Sequence, residues 1–141
     1  MGWWSTDILG GDTPLDCLGI YEEKAGVPDI YPLETLAPEK ADALRKHIEA
    51  DDMAWLRLAD AMYQEHSVAV QVGTLIAMTV GARLGPKYKA AAIPAILEDE
   101  WAAEGETARV RTINGFAKAL ARYTGTPTRI HSRGLFEAMA S

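Results

Sequence analysis

One cysteine, two phenylalanines and three histidines are thin equipment for a chain of 141 residues. The lone Cys17 excludes an internal disulfide and fits a reducing compartment, so a cytoplasmic location is expected. His47, His66 and His131 form no His-x-x-x-His or His-Glu-x-x-His pair, which excludes the helix-borne zinc motifs. Gly10-Gly11 lacks the further glycines and the lysine of a phosphate-cradling loop. Ser5, Ser67, Ser132 and Ser141 all lack Gly-x-Ser-x-Gly surroundings, so no nucleophile elbow is present. Bases are also scarce over most of the chain. Residues 1–108 hold 19 acids and 8 bases, whereas residues 109–141 hold 6 bases and 1 acid. A net charge of −6 disfavours a nucleic-acid backbone, so no nucleic-acid partner is expected. The opening residues have no basic region followed by an apolar run, as a targeting segment would. The most apolar stretch, Ser67 to Gly85, is interrupted by Gln71 and Arg83. It falls short of the roughly 18 apolar residues that span a bilayer, so no membrane association is expected.

What is present reads as a folded domain. Hydrophobic residues make up 48% and charged residues 24%, the balance of a globular protein rather than a disordered one. The length suits one domain with a proper core, 1–141. Within it, 1–12 forms an N-terminal Trp-Trp and Gly-Gly segment and 124–141 a C-terminal tail. The densest stretch is MGWWSTDILGGDTPLDCL at the start. Gly10 and Gly11 permit a sharp turn. Asp12 or Thr13 then suits a helix N-cap, Pro14 the first helical position, and Asp16 the acidic place of a capping box. Leu15, Leu18 and, nearly, Tyr21 share one side, as an amphipathic helix requires.

This opening resembles a bacterial and phage family of unknown function (domain of unknown function 4259-like). Its members begin Gly-x-Trp and reach Asp-x-x-x-Asp at a first helix, matched here by Gly2, Trp4, Asp12 and Asp16. Gly-Gly-Asp stands where many relatives have Asn-Asp, and Cys17 where they often have Trp. The phage-borne branch, opening Gly-Trp-Trp-Ser and continuing Gly-Gly-Asp-Thr-Pro-Leu-Asp, is the more similar. The likeness covers the first 18 residues well and the remainder loosely, and it implies a phage or prophage association but no activity.

The rest of the chain predicts helices. Gly26 and Pro28 stop the first. Asp29 to Leu36 reads as a loop or short extended connection. Pro38 opens a helix with Ala41, Leu44 and Ile48 on its apolar side. Asp51-Asp52 ends it and starts another, Met53 to about Glu65, with His66 at its close. Ser67 is read as the cap of a buried core helix on which Gly73, Ala77 and Gly81 make a flat strip for close approach. A helix from Lys87 to about Trp101 should kink or break near Ala90 or Ala91 because of Pro94. The last long helix runs from Glu106 to Tyr123. Arg129-Ile130-His131 could be extended, and Leu135 to Met139 a terminal helical turn. The expected fold is therefore all-α, a compact bundle or irregular repeat-like stack of five to seven helices.

Candidate sites are few. Asp7, Asp12 and Asp16 are the best hard-oxygen ligands for a cation, yet Asp12 and Asp16 have capping work, so neither a metal nor a cofactor is expected. Cys17 in an amphipathic helix reads as a small buried hydrophobe. Glu98, Asp99 and Glu100 read as a solvated helix end or an interaction patch. Trp3 and Trp4 point opposite ways on an extended segment. Either both are buried from different sides, or Trp4 anchors the segment and Trp3 is exposed as a binding hot spot. No catalytic set emerges. The leading expectation is a non-enzymatic binding protein that occupies or inhibits a host protein through Trp3, Trp4, Asp7, Asp12, Asp16, Glu98, Asp99 and Glu100. A small-molecule-binding or sequestering homo-oligomer is the alternative, and an Asp-based metal-dependent hydrolase the third reading.

Overall fold

A computed structural model describes residues 12–31, 33–105 and 107–127. The expected Trp3, Trp4 and Asp7 surface, the Arg129–His131 segment and the terminal turn lie outside these residues. The described residues form seven α-helices and two short 3₁₀ turns, without strands. The helices are α1 (Asp12–Ala25), α2 (Pro38–Ala50), α3 (Asp52–Arg57), α4 (His66–Val80), α5 (Pro86–Leu97), α6 (Glu100–Ala103) and α7 (Thr107–Arg122). The 3₁₀ turns are Leu33–Thr35 and Leu58–Ala61. The fold is all-α, as the sequence predicts.

Helix α4 is the axis. Its residues are buried all round from Ser67 to Met78, the signature of a helix enclosed by others. Helices α1, α2, α3 and α5 pack on it, and α7 packs on α5. The small residues of α4 decide how closely they approach. A Cβ on Gly73 would lie 2.5 Å from the Tyr21 hydroxyl oxygen. With only a hydrogen there, the Tyr21 hydroxyl donates to the Ala69 carbonyl at 2.8 Å. The Trp55 indole N–H donates to the Gly73 carbonyl at 2.9 Å. Their rings meet at 4.7 Å between centroids. At the far end, the Tyr123 hydroxyl donates to the Ala82 carbonyl at 2.7 Å. Tyr21 and Trp55 thus dock along the small residues of α4 and donate to carbonyls within the helix, while Tyr123 reaches a carbonyl just past its end.

Helix ends follow the expected punctuation in most places. Gly26, at φ 70°, closes α1, with its own N–H and that of Val27 bonded back to Glu23 and Glu22. Gly81, at φ 77°, closes α4 in the same way onto Met78 and Ala77. Both are Schellman ends, which satisfy orphan carbonyls. Asp51 links α2 to α3 by accepting the Ala54 N–H at 3.0 Å. Two further acids grip the turn after α4: Asp52 accepts the Gly85 N–H at 2.7 Å, and Glu49 the Arg83 N–H at 2.7 Å.

Four local expectations are corrected. Helix α1 begins at Asp12, slightly ahead of Pro14; proline is tolerated in the first turn because N–H groups there lack helical partners. Helix α3 ends at Arg57 and tightens into a 3₁₀ turn rather than running to Glu65. Trp55 and Ala59 still share a buried side across the change. His66 opens α4 instead of closing its predecessor, and Ser67 is not the cap: the cap position is Glu65. The Asp60 carboxylate, 2.9 Å from His66 Nε2, holds that end. Finally, α5 passes through Pro94 without a break and stops at Leu97, four residues before Trp101. Pro94 has no N–H to bond the Ala90 carbonyl, but only one further turn follows it, so the loss is confined to the helix end.

Candidate functional site

Two places in the described residues gather chemically capable side chains, and they differ in kind. The first is internal. Asp99 starts α6, accepting the Ala102 N–H on Oδ1 at 2.8 Å. The same oxygen accepts from Arg109 Nε at 3.2 Å, and Oδ2 accepts from an Arg109 terminal nitrogen at 2.7 Å and Gln71 Nε2 at 3.0 Å. Arg109 also donates to Gln71 Oε1 at 3.0 Å, and its guanidinium lies 5.4 Å from the Trp101 ring. Arg109 is 0% and Asp99 2% exposed. Burial pushes the Asp99 carboxyl up, but the hydrogen bonds from Arg109 and Gln71 and the charge of Arg109 overcome it, and the carboxyl ends below its ordinary value. This triangle clasps α4, α6 and α7. It also corrects the Glu98–Glu100 patch: Glu98 and Glu100 are exposed, but Asp99 is turned inward and engaged.

Sequence reasoning missed the clasp, though its signal was present. Arg109 stands four residues before Ile113 and seven before Phe116, on the apolar side of α7. A charge on that side demands a buried partner. Glu65 reports the same neighbourhood: partial burial, then the nearby Glu100 and Asp99 charges, raise its carboxyl above the ordinary value despite Arg109.

The second place is open to solvent. A groove of about 360 Å³ runs across the ends of α1, α2 and α3. Its lining residues are Lys24, His47, Ala50, Asp51, Ala54, Trp55 and Leu58. Four of the seven are apolar. The His47 ring stands edge-on to Trp55, 5.8 Å between centroids. Trp55 itself is fixed from behind by its bond to Gly73, so this wall is rigid. Lys24, in the last turn of α1, is exposed and has no ion-pair partner among the described residues. Asp51, by contrast, caps α3 and lies 3.9 Å from Arg57. Lys24 and Asp51 are the two charges of the lining, and of these Lys24 is the one without an ion-pair partner among the described residues.

No family model, curated protein or solved structure matches this chain.

The remaining candidates fall into place around these two. Among the described residues no three His, Cys, Asp or Glu side chains group to hold a metal ion. Asp16 is exposed on α1, Asp12 begins the same helix one turn earlier, and Asp7 lies outside the described residues. Cys17 is fully buried, and burial, aided by the Asp16 charge, pushes its thiol up to about 12. A thiol so raised is not a nucleophile at neutral pH. No helix of the described residues is long and apolar enough to cross a membrane.

Proposed function

We propose that this chain is a binding protein that acts by occupying another protein, and that the groove across α1, α2 and α3 is where the partner docks. In keeping with the phage-like opening, the partner is a bacterial host factor, and occupation inhibits it. The observation that carries the reading is the contrast between the two clusters. Asp99, Arg109 and Gln71 are fully engaged with one another, whereas the groove joins an apolar lining to a surface Lys24 that has no ion-pair partner among the described residues. An apolar hollow with a polar rim, built on rigid helices, is what a partner's anchoring side chain needs.

The test is capture from a bacterial lysate by the tagged chain, compared with Ala50→Trp and Ala54→Trp. Ala50 is exposed and Ala54 half-buried, and both line the groove, so the larger ring fills the hollow without entering the core. A protein retained by the parent chain and lost from both variants, at unchanged melting temperature, supports the reading. Retention of the same proteins by all three chains overturns it. A second reading, a small-molecule binder, is favoured by the volume alone, which falls within the roughly 300–1,000 Å³ of ligand pockets. It predicts a bound small molecule displaced in the same variants.

A further inference from the structure

We propose that the groove selects an apolar side chain standing next to a carboxylate on the partner protein. This deepens the binding reading above and rests on it. The apolar half of the specificity comes from Ala50, Ala54, Trp55 and Leu58, which offer a hollow the size of one or two side chains. The acidic half comes from charge bookkeeping at the rim. Lys24 sits at the C-terminal end of α1, where a cation is favoured by the helix dipole, and no described carboxylate neutralises it. Asp51 is the one acid of the lining, and its charge is already shared with the N-terminus of α3 and with Arg57. His47 stands edge-on to Trp55 and adds an imidazole N–H to the same rim. Donors and a free ammonium beside an apolar wall complement an anionic acceptor attached to an apolar body.

The occupant is a segment of a partner protein; a second copy of this chain and the chain's own first residues are the competing outcomes of the test below. Opposite charges at a rim are worth up to about fivefold in affinity when exposed, so the preference is measurable but not absolute. Specificity at the rim adds to anchoring in the hollow.

The experiment titrates ¹⁵N-labelled full chain with three capped hexapeptides. One carries a leucine flanked by glutamates, one a leucine flanked by lysines, and one a serine flanked by glutamates. The expected result is saturable shifts of the Trp55 indole N–H and the Ala50 and Ala54 amides with the first peptide. The second should bind up to about fivefold more weakly, and the third, which lacks the apolar anchor, should bind more weakly than the first. The exposed Lys24→Glu variant, which leaves the core untouched, should remove or reverse the preference for glutamate over lysine. Equal binding of the first two peptides overturns the acidic specificity while leaving the groove as a binding site. No shift at the groove with any peptide overturns the inference. If Ala50→Trp still abolishes capture from lysate, the binding reading survives that failure. Groove signals that move in a Trp3→Ala/Trp4→Ala variant without peptide, or a doubled mass in solution, assign the occupant to the chain itself and also overturn the inference.

Discussion

Replacing Asp99 by asparagine tests the internal clasp with the smallest change of shape. The two carboxylate oxygens of Asp99 each face two N–H donors: Ala102 and Arg109 Nε on one side, Gln71 and an Arg109 terminal nitrogen on the other. An asparagine has one oxygen, so whichever way the amide turns, its NH₂ meets two donors. Flipping Gln71 relieves one clash but turns the Gln71 amide nitrogen toward Arg109, which now donates to Gln71 Oε1. The Arg109 guanidinium, 0% exposed, also loses its counter-charge. Removing one partner of a buried pair typically costs about 3–5 kcal/mol. That is a large share of the roughly 5–15 kcal/mol that holds a domain together. For a chain of this size it lowers the melting temperature by on the order of 10–15 °C. Urea unfolding followed by far-ultraviolet circular dichroism measures it. The triple variant Gln71→Leu/Asp99→Leu/Arg109→Met removes every polar member together and should cost less than the single change, since an apolar replacement of a buried pair is often nearly neutral. A loss below about 1 kcal/mol for Asp99→Asn would refute the reasoning, because Arg109 would then have another way to be stabilised.

Further outcomes follow from the same contacts. Gly73→Ala gains about 1 kcal/mol of helix propensity but drives a Cβ to 2.5 Å from the Tyr21 hydroxyl oxygen and 2.6 Å from its ring. Tyr21 is pinned between α4 and Trp55, so a net destabilisation of about 1–3 kcal/mol is expected by denaturant titration. Stability against pH separates two carboxylates of opposite sign. The folded Asp99 carboxyl lies below its ordinary value, so its contribution is complete above the ordinary carboxylate range and fades as pH falls through it. The gap between the parent chain and Asp99→Asn should therefore shrink on acidification. The Glu65 carboxyl is raised, so its ionisation on folding is unfavourable at neutral pH. Glu65→Gln should stabilise the chain at pH 7 and make no difference once both states are protonated. Cys17, buried with its thiol raised to about 12, should resist iodoacetamide in the native chain and react at once in urea.

The helical architecture was legible because punctuation and periodicity agreed. Gly26 and Gly81 end helices where the turn needs a positive φ, and Pro38 and Asp51 start them. Leu44 with Ile48, and Ile113 with Phe116 and Leu120, are buried as their spacing predicts. The Gly73 strip was readable as a place of close approach, but which aromatics would use it was not. Tyr21, Trp55 and Tyr123 are brought there from elsewhere in the chain, and local pattern carries no such long-range pairing. The errors at His66 and Ser67 have a local cause. A serine before an apolar run is the usual cap signal, yet here Glu65 takes the extended cap geometry and Ser67 lies within the first turn. The acidic run at Glu98–Glu100 misled because neighbouring carboxylates look alike in sequence. The chain leaves α5 at Glu98, and that exit alone turns Asp99 inward to Arg109 while its neighbours stay in water. The groove was not foreseen at all. Lys24, Ala50 and Leu58 come from three segments, and each is unremarkable in its own helix.

Native mass spectrometry on the gently purified, untagged chain, beside its Ala50→Trp variant, tests the binding account most directly. The account predicts a one-to-one complex with a second protein for the parent chain and a bare monomer for the variant. A parent chain that carries only a small extra mass, or that flies as the same species as the variant, would contradict it.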